Sequence, residues 1–570
     1  MNVATATTAT PNPGAVGAAS RSAGGVRGVS GSLDSPAENV VVHGNVVVVI
    51  GWVLWDGRLV SRIEVEVDGA KPVRARTTLP RIDVAAVLPD LPDAVLAGYE
   101  ARVPVDIAAG ESREVSVRVI AHSRAGAGQV IATRVCTVRS RAFDPQERAV
   151  VERNAAMSRQ LLAGIQVPRD PDHVLVFTHS LRVGGGELWL AELIGKLLRE
   201  NGIHVTVVAP ADGPLRAELE GLGARVWLTG DHDVARSLPY QAYVNELALI
   251  ARASGAGSVL VNTLGVFAGV DAALLAQLPV AWVIHESFAL ADFELLNWGA
   301  DGLDPSVRRR WQDCLGAADA LLFVADATRE LFLRYSAPRK CLTIKYGIDV
   351  TRLDRAGSAE ETSALRRRYG IDERAQVLLT VGVSEPRKGH AALVVAFERI
   401  RRHHPYAHLV IVGMIDSPYC HAVHRCVAER RLDDRVTLVP IVRDPRAYFQ
   451  IADFFVNSSD IESLPRSIIE AVAFGVPVLA ADVFGSRDLV VDGVTGWLFS
   501  PNDSNALTVG LARALDSSAG ERELMAGRAL RHIGGFLDST HYGGQYASLM
   551  RGLAAAVPAH VDSAPGGGPS

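Results

Sequence analysis

Glu462 and Glu470, two glutamates with seven residues between them, are the side chains in this sequence whose spacing most clearly suggests chemistry. An apolar run ending at Val456 leads into a polar turn that carries Glu462, and Pro465 then opens a helix, where its missing N–H group costs little. Glu470 would lie about one and a half turns inside that helix. Carboxylates accept hydrogen bonds from hydroxyl groups, and a helix N-terminus favours a phosphate. The spacing predicts a site for a sugar joined to a diphosphate, although an isolated pair is more often one surface and one helix carboxylate.

Three further groups of residues follow apolar strands. A glycine loop, 184–186, precedes a helix, and glycines there let the backbone approach an anion closely. His285 ends the apolar strand 282–284, a position where histidine is more often functional than elsewhere. Arg387 and Lys388 precede a helix and could pair with a diphosphate, Arg through its fork and Lys as a point charge. The alternatives are a plain tight turn, a structural histidine and a solvated basic turn.

Length and composition limit the classes of protein to be considered. The 570 residues predict two to four domains, and the 48% hydrophobic and 21% charged residues are typical of a globular protein. A net charge of −5 gives no reason to expect nucleic acid as a partner. Five cysteines do not form a disulfide framework, so a reducing cytoplasm is expected. Cys420, His424 and Cys426 could suggest zinc, but on a helix Cys426 points away from the other two, and no metal is expected.

Before the α/β part of the chain, the composition predicts a tail, an accessory domain and a linker. Residues 1–36 and 555–570 are rich in small residues, Pro and Gly, and are expected to be disordered tails. Residues 37–140 contain short β-rich runs separated by turn signals, which predicts a β-sandwich accessory domain. A helical linker is expected over 141–172. The sequence contains no run of about eighteen apolar residues, so no membrane span is expected.

The rest of the chain alternates apolar strands with amphipathic helices, first over 173–350 and again over 351–554. This alternation predicts an α/β fold of two Rossmann-like, doubly wound domains facing a cleft, with ligands at the carboxyl ends of the strands. The predicted strands lie near 174–179, 203–209, 225–228, 258–262, 280–285, 320–324 and 342–345 in the first domain, and near 376–382, 408–413, 435–439, 453–457 and 477–480 in the second.

The motifs, in this order, resemble those of the retaining, nucleotide-sugar-dependent glycosyltransferases of family 4 (glycosyl transferases group 1), which have the GT-B architecture. The resemblance covers about 173–554. It rests on the glycine loop with Glu187, the His-Glu pair 285–286, the Pro-Arg-Lys-Gly loop 386–389, and the run 470–478 that follows Glu462. The N-terminal region is similar to small β-sandwich modules attached to bacterial glycosyltransferases.

The resemblance implies a role for each candidate residue. The first Rossmann-like domain would bind the acceptor and the second the donor. Glu462 would contact the hydroxyls of the sugar, and Glu470 would contact the ribose of the nucleotide. The base would lie against the backbone near 439–442. The diphosphate would meet the two cations and the N–H groups of the turn after Glu462. The implied catalytic residues are Glu462, His285 and Lys388, and the implied donor-binding residues are Arg387, Lys388, Glu470, Leu464, Arg466, Gly185, Gly186 and Ile441.

By this resemblance the protein would be a retaining hexosyltransferase that moves a sugar from a nucleoside-diphosphate sugar to a glycan or lipid-linked acceptor, in bacterial surface polysaccharide synthesis. No metal or other cofactor would be required. A cytoplasmic location is expected, including peripheral contact at the inner membrane face. Two departures from the family pattern, Val383 and Tyr346, leave open an inactive transferase-like subunit that binds glycan or a partner. A nucleotide-sugar epimerase is the other alternative.

Overall fold

The computed structural model describes most of the chain and divides it into two compact units. Unit one comprises Met1–Ala142, Ser287–Gly302 and Gly347–Leu537, and unit two comprises Phe143–Glu286, Leu303–Tyr346 and Asp538–Ser570. The described residues are 28–44, 46–88, 90–108, 110–140, 145–182, 184–299, 302–348, 359–442, 444–537 and 539–556. Most of the two predicted tails, the start of the predicted linker and the predicted boundary at 350–351 lie outside them.

The N-terminal region is an all-β domain of two sheets. One sheet has the strand order β1-β3-β7-β6 and the other β2-β9-β8-β4-β5. In β4 the apolar side chains Ile63, Val65 and Val67 are buried, and the polar ones between them are half-exposed, as expected for a strand with one face in a core. The strands are β1 (Val29–Ser35), β2 (Val41–His43), β3 (Val46–Trp55), β4 (Arg62–Val67), β5 (Val73–Arg74), β6 (Arg76–Leu79), β7 (Gly98–Pro104), β8 (Ser112–His122) and β9 (Gly128–Arg139), with a short helix α1 (Ile82–Val87) after β6.

Strand β1 corrects the expectation that residues 1–36 form a disordered tail. Residues 29–35 pair antiparallel with β3. Their Gly- and Ser-rich composition concealed the strand, because main-chain hydrogen bonds rather than large side chains hold it. A Cβ atom on Gly31 would lie 2.7 Å from the carbonyl oxygen of Trp52, so the small residue is required for this close approach.

Helix α2 (Pro145–Ala163) leads into the first Rossmann-like domain, a sheet of seven parallel strands in the order β12-β11-β10-β13-β14-β15-β16. Strand β13 is buried along its whole length, as expected when helices cover both faces of a sheet. The predicted strands are confirmed. They are β10 (Asp170–Phe177), β11 (His204–Ala209), β12 (Arg225–Leu228), β13 (Ala256–Asn262), β14 (Val280–Ile284), β15 (Ala320–Phe323) and β16 (Cys341–Thr343); the helices are α3 (Gly185–Glu200), α4 (Leu215–Leu222), α5 (Ser237–Ala253), α6 (Phe267–Leu275), α8 (Pro305–Ala317) and α9 (Asp326–Phe332). Helix α7 (Leu290–Trp298), which lies between α6 and α8 in sequence, belongs to unit one.

The second Rossmann-like domain is a sheet of six parallel strands in the order β19-β18-β17-β20-β21-β22. Five of these strands were predicted, and the three-residue strand β22 was missed. The strands are β17 (Gln376–Val381), β18 (Ala407–Met414), β19 (Val436–Pro440), β20 (Phe454–Asn457), β21 (Val478–Ala481) and β22 (Trp497–Phe499); the helices are α10 (Ala359–Arg368), α11 (His390–Ile400), α12 (Pro418–Glu429), α13 (Arg446–Ile451), α14 (Arg466–Ala473), α15 (Phe484–Leu489), α16 (Ser504–Asp516) and α17 (Ala519–Leu537).

The last helix, α18 (Ser539–Ala556), packs against α3 and the first Rossmann-like sheet, although the sequence analysis grouped it with the second domain. Tyr546 and Met550 are fully buried in the apolar core of the first domain, and Arg551 contacts Asp172 at 2.5 Å. No helix in the described part of the chain combines the length and the apolar character needed to cross a membrane.

Within unit one, the β-sandwich and the second Rossmann-like domain share a hydrophobic core. Trp52 and Leu59 of the sandwich belong to the same buried cluster as Phe397 of α11. A buried ion pair joins Asp93 to Arg430, whose side chains are only 4% and 3% exposed. The sandwich is therefore an integral part of this unit rather than a separately tethered module.

Candidate active site

In the second Rossmann-like sheet, β17 and β20 are neighbours although two strands lie between them in sequence, so the strand order reverses at this point. Such reversals are where doubly wound folds bind ligands. The loops 382–389 and 458–465 follow these strands. Gly389 has a φ of +68°, and a Cβ atom there would lie 2.3 Å from the carbonyl oxygen of Ser458. Glycine at this position lets the two loops meet.

Lys388 and Glu462 form an ion pair where the two loops meet. The Nζ atom of Lys388 lies 2.5 Å from Oε1 of Glu462, and the hydroxyl of Ser459 donates to the same oxygen at 2.7 Å. The two charged side chains are 16% and 10% exposed, so the pair is well shielded but reachable from solvent. Because both donors contact Oε1, the second oxygen, Oε2, is the one to which neither of them donates.

The electrostatic surroundings keep Glu462 ionised. Burial alone would raise its pKa, but the charges of Lys388 and Arg387 and the hydrogen bonds from Lys388 and Ser459 outweigh burial and hold the pKa below its usual range. At neutral pH the site therefore contains a carboxylate with two cations beside it.

Arg387 lies next to this pair, but its side chain is oriented differently. Its Nε donates to Oε2 of Glu385 at 2.8 Å, and both side chains are more than one third exposed. Its carbonyl oxygen accepts a hydrogen bond from the backbone N–H of Asp460 at 2.9 Å. Arg387 thus carries a solvent-accessible charge on a backbone that is fixed to the loop containing Glu462.

The turn and helix after Glu462 carry three more of the predicted donor-binding residues. Pro465 is in an extended conformation and immediately precedes α14, so the predicted helix is confirmed with Pro465 as the residue before its first turn. Leu464 is buried, whereas Arg466 is exposed. The side chain of Arg466 donates from Nε to Oε1 of Glu470 at 3.4 Å. This contact links Glu470 to Arg466, which lies one turn earlier in the helix.

A glycine that the sequence analysis did not single out makes this turn possible. A Cβ atom on Gly485, in α15, would lie 1.4 Å from the carbonyl oxygen of Ser463, a distance no side chain can satisfy. The N–H of Gly485 donates to the carbonyl oxygen of Glu462 at 3.4 Å. Helix α15 therefore packs directly against the turn and limits its movement.

Ile441, the residue implied in base binding, lies just after β19. Its side chain is 60% exposed, and its N–H donates to the carbonyl oxygen of Met414 at 3.1 Å. An exposed apolar side chain at the carboxyl end of a strand is compatible with stacking on a flat ring.

In the first Rossmann-like sheet, the order reverses between β10 and β13, and a second polar cluster lies there. His179 contacts Glu187 of α3 at 2.9 Å. The side chain of Asn262 donates to the hydroxyl of Thr178 at 3.4 Å. This contact links the carboxyl ends of the two strands.

His285 belongs to this second cluster. Its Nε2 donates to Oδ1 of Asn262 at 3.0 Å, and its ring meets Trp189 edge to face at 4.6 Å. Burial lowers its pKa to about 4, so the ring is neutral at physiological pH. A Cβ atom on Gly186 would lie 3.7 Å from the His285 ring, whereas Gly185 is exposed, and both glycines are in the first turn of α3.

Glu286, the neighbour of His285, accepts hydrogen bonds from the backbone. Its Oε2 accepts hydrogen bonds from the N–H groups of Leu264 and His285 at 2.9 and 3.0 Å. Burial raises its pKa, and these backbone donors oppose the rise. The residue fixes the strand end that presents His285.

The structure thus distributes the predicted residues over two clusters. Lys388 and Glu462 are in direct contact, with Arg387 adjacent. The turn and helix that follow carry Leu464, Arg466 and Glu470, and Ile441 lies at another strand end of the same domain. His285, Gly185 and Gly186 lie in the other unit.

Besides Gly485, sequence reasoning missed two residues that shape the Glu462 loop. Ser459 lies inside the motif that was examined, and its position three residues before Glu462 was a usable signal. Asp460 forms an ion pair with Arg76 of β6, a residue 384 positions away. Nothing in the local sequence indicates such a pairing.

Two doubly wound domains with polar loops at their points of strand reversal are the GT-B architecture, and comparisons with known proteins identify the family as one of glycosyltransferases. Residues 361–531 match the family described as glycosyl transferases group 1, and residues 183–352 match glycosyltransferase family 4. The chain belongs to this glycosyltransferase family. Residues 28–140 lie outside both matches.

Three similar proteins illustrate the relationship. The chain is 26% identical to the GDP-mannose-dependent alpha-(1-6)-phosphatidylinositol monomannoside mannosyltransferase of Mycolicibacterium smegmatis, over 65% of this chain and 96% of that protein. It is 30% identical to the enzyme of the same description from Mycobacterium tuberculosis strain CDC 1551, over 57% and 84%. The crystal structure of Anabaena HepE in complex with UDP and glucose superposes with a TM-score of 0.56 at 22% identity, covering 66% of this chain and 98% of that chain. This last likeness shows the shared fold.

Proposed function

We propose that the protein is a retaining hexosyltransferase that moves a sugar from a nucleoside-diphosphate sugar to a glycan or lipid-linked acceptor. The observation that carries the proposal is the contact between Lys388 and Glu462 at the strand reversal of the second Rossmann-like domain, with Arg387 beside it. It combines positive charge for a diphosphate with a carboxylate for sugar hydroxyls. The M. smegmatis relative is described as using GDP-mannose, and HepE was solved with UDP and glucose.

Charge compensation is the main contribution of the site. When the glycosidic bond of the donor breaks, negative charge develops on the departing nucleoside diphosphate. Lys388 and Arg387 stabilise that charge, and because the protein supplies both cations, we assign no metal ion to the reaction. The paired carboxylate holds the side chain of Lys388 in place before the donor arrives.

Glu462 orients the sugar. Since Lys388 and Ser459 both donate to Oε1, we assign Oε2 as the acceptor for a hydroxyl of the donor sugar. The ionised state of Glu462 suits this role, because a carboxylate accepts hydrogen bonds more strongly than a carboxylic acid. Retention follows if the acceptor attacks the face from which the diphosphate leaves, with a phosphate oxygen taking the acceptor proton.

The acceptor is a glycan or a lipid-linked molecule, and synthesis of a bacterial surface polysaccharide is the setting we propose. The names of both mannosyltransferase relatives contain phosphatidylinositol monomannoside, a mannosylated lipid. We assign the protein to the cytoplasm with peripheral contact at the inner membrane face, where lipid-linked acceptors and nucleotide sugars are both accessible.

The test is transfer from UDP-, GDP- and ADP-sugars to lipid and glycan acceptors by wild type and Glu462→Gln. Loss of the carboxylate should lower turnover more than tenfold, or about 1.4 kcal/mol or more in the barrier. Glu200→Gln, which breaks the Lys196–Glu200 pair of α3, is the matched control and should retain turnover. The product should have the anomeric configuration of the donor.

Four outcomes would contradict the proposal. Unchanged turnover in Glu462→Gln would remove that residue from the site. An inverted product would exclude the retaining reaction. Conversion of the donor sugar without any acceptor would indicate an epimerase instead, and donor binding without transfer would indicate an inactive subunit.

A further inference from the structure

We propose that Arg76, in the β-sandwich, is a positioning residue for the transfer reaction: it holds the loop 458–465, and through it Glu462, in the conformation that meets Lys388. This inference rests on the proposed function for its effect on catalysis. Its structural half, that Arg76 holds the loop, can be tested without any activity.

The contact is direct and joins two parts of unit one. Arg76 begins β6, where it pairs with Glu100 of β7. Its Nε donates to Oδ2 of Asp460, and the two side chains are 24% and 10% exposed. Asp460 in turn donates its backbone N–H to the carbonyl oxygen of Arg387 at 2.9 Å. One residue, two positions before Glu462, therefore connects the sandwich to both loops of the site.

The local electrostatics make Asp460 dependent on Arg76. Burial raises the pKa of the Asp460 carboxyl group, while Arg76 and Arg387 oppose that rise. Its Oδ1 atom is buried and has no hydrogen-bond partner among the described residues. Without Arg76 the carboxylate would be left largely unpaired in a shielded position, which is costly unless the loop moves.

A small cavity beside the pair offers the route for that movement. Arg76, Thr78, Ser458 and Asp460 are among its lining residues. If Arg76 were truncated, water could enter here and hydrate Asp460, and the loop would no longer be fixed from this side. Ser459 and Glu462 would then lose their fixed orientation toward Lys388.

The sandwich that carries Arg76 is itself fixed to the second Rossmann-like domain. Besides the shared hydrophobic core and the Asp93–Arg430 pair, the N–H of Ser504 donates to the carbonyl oxygen of Ser61 at 3.1 Å. Arg74 donates from Nη1 to the carbonyl oxygen of Pro501 at 3.2 Å. A side chain reaching from such a fixed sheet can define the position of the loop it contacts.

Arg74 also supplies the matched control. Like Arg76, it is a sandwich arginine that contacts the second Rossmann-like domain, but its partners are Ser500 and Pro501 rather than the Glu462 loop. A comparison of Arg76→Ala with Arg74→Ala therefore separates loss of an interface contact from loss of loop positioning.

The experiment measures amide hydrogen exchange of the peptide covering 457–465, together with kcat, in the full-length protein. In Arg76→Ala, the amide hydrogens of this peptide should exchange about tenfold faster than in Arg74→Ala. The kcat of Arg76→Ala should also be about tenfold lower than that of Arg74→Ala. Adding Asp460→Asn to Arg76→Ala should cause no further loss, because both changes remove the same contact. Arg76→Lys, which keeps the charge, should recover part of both effects and replaces Arg76→Ala if that variant does not fold.

Two results would overturn the inference: exchange in Arg76→Ala equal to that in Arg74→Ala, or faster exchange with kcat unchanged. Losses that multiply in the double variant would also contradict it. If the wild type transfers no sugar, the proposed function fails, and the exchange comparison still decides whether Arg76 holds the loop.

Discussion

The two Rossmann-like domains place polar clusters at equivalent points of their sheets, but the clusters differ in charge. In the second domain, Lys388 and Glu462 form a charged pair, and burial does not neutralise the carboxylate. In the first domain, His285 is neutral and hydrogen-bonded to Asn262, and Glu286 accepts hydrogen bonds from backbone N–H groups. The carboxylate of that cluster, Glu187, contacts His179, which holds its pKa below the usual range against the effect of burial. The same topology thus carries a cluster built on a lysine–glutamate pair in one domain and a cluster built on histidines and backbone contacts in the other.

This difference shows that position in the fold does not by itself assign a role. Strand order explains why both clusters lie where ligands bind. The residue types and their partners then decide which cluster can stabilise a leaving diphosphate. We place that step in the second domain, and the predictions below test the contrast.

Replacing Lys388 with Ala should have the largest effect. The change removes a cation from the leaving group and leaves Glu462 without its partner, so kcat/KM should fall about 100-fold or more. The measurement is steady-state transfer with the preferred donor. Lys340→Ala is the control. Within the described residues, Lys340 donates to the carbonyl oxygens of Gly316 and Ala318, so its replacement should leave transfer unchanged. A loss of less than threefold in Lys388→Ala would place the diphosphate elsewhere.

A smaller effect is expected from Ser459→Ala, and it should depend on pH. The hydroxyl helps to hold the pKa of Glu462 below its usual range, so its removal should raise that pKa. The acid limb of the kcat/KM profile should therefore move to higher pH, while activity at neutral pH falls only a few-fold. Ser518→Ala, which alters the hydrogen bonds to Glu521, is the control. An acid limb that stays in place would mean that Glu462 does not control it.

His285 should have the smallest effect on the pH profile of transfer. Because burial lowers its pKa to about 4, it is neutral throughout the physiological range and should add no limb near 6.5. The unfolded state binds the proton more readily, so His285 makes stability rise between about pH 4 and 6.5. The melting temperature should change less between these two pH values in His285→Gln than in wild type. An equal dependence would mean that the folded ring titrates normally.

Much of the fold could be predicted because it depends on local patterns. Strand and helix alternation is repeated over hundreds of residues, and most of the parallel strands are apolar enough to recognise. Strand β1 was missed because Ser and Gly dominate it, and the short edge strand β22 was missed as well. The packing of α18 on the first domain depends on contacts distant in sequence, which local patterns do not encode.

The site shows the same division. Lys388 and Glu462 follow strands that proved to be neighbours in the sheet, so the motif order was enough to propose them together. The link from Arg76 to Asp460 spans 384 residues and joins two differently folded domains. Only the packing of the sandwich on the second Rossmann-like domain reveals it. Whether Lys388, Glu462 and the other implied residues contact the donor stays a prediction.

The most direct test of the account is calorimetric binding of UDP-, GDP- and ADP-sugars to wild type and Glu470→Ala. Glu220→Ala is the matched control, since Glu220 is also a helical glutamate contacted by an arginine four residues earlier. We predict saturable binding of one donor to wild type and control, weakened at least tenfold in Glu470→Ala. No binding of any donor to wild type, or equal binding to Glu470→Ala, would contradict a nucleotide-sugar site in the second Rossmann-like domain.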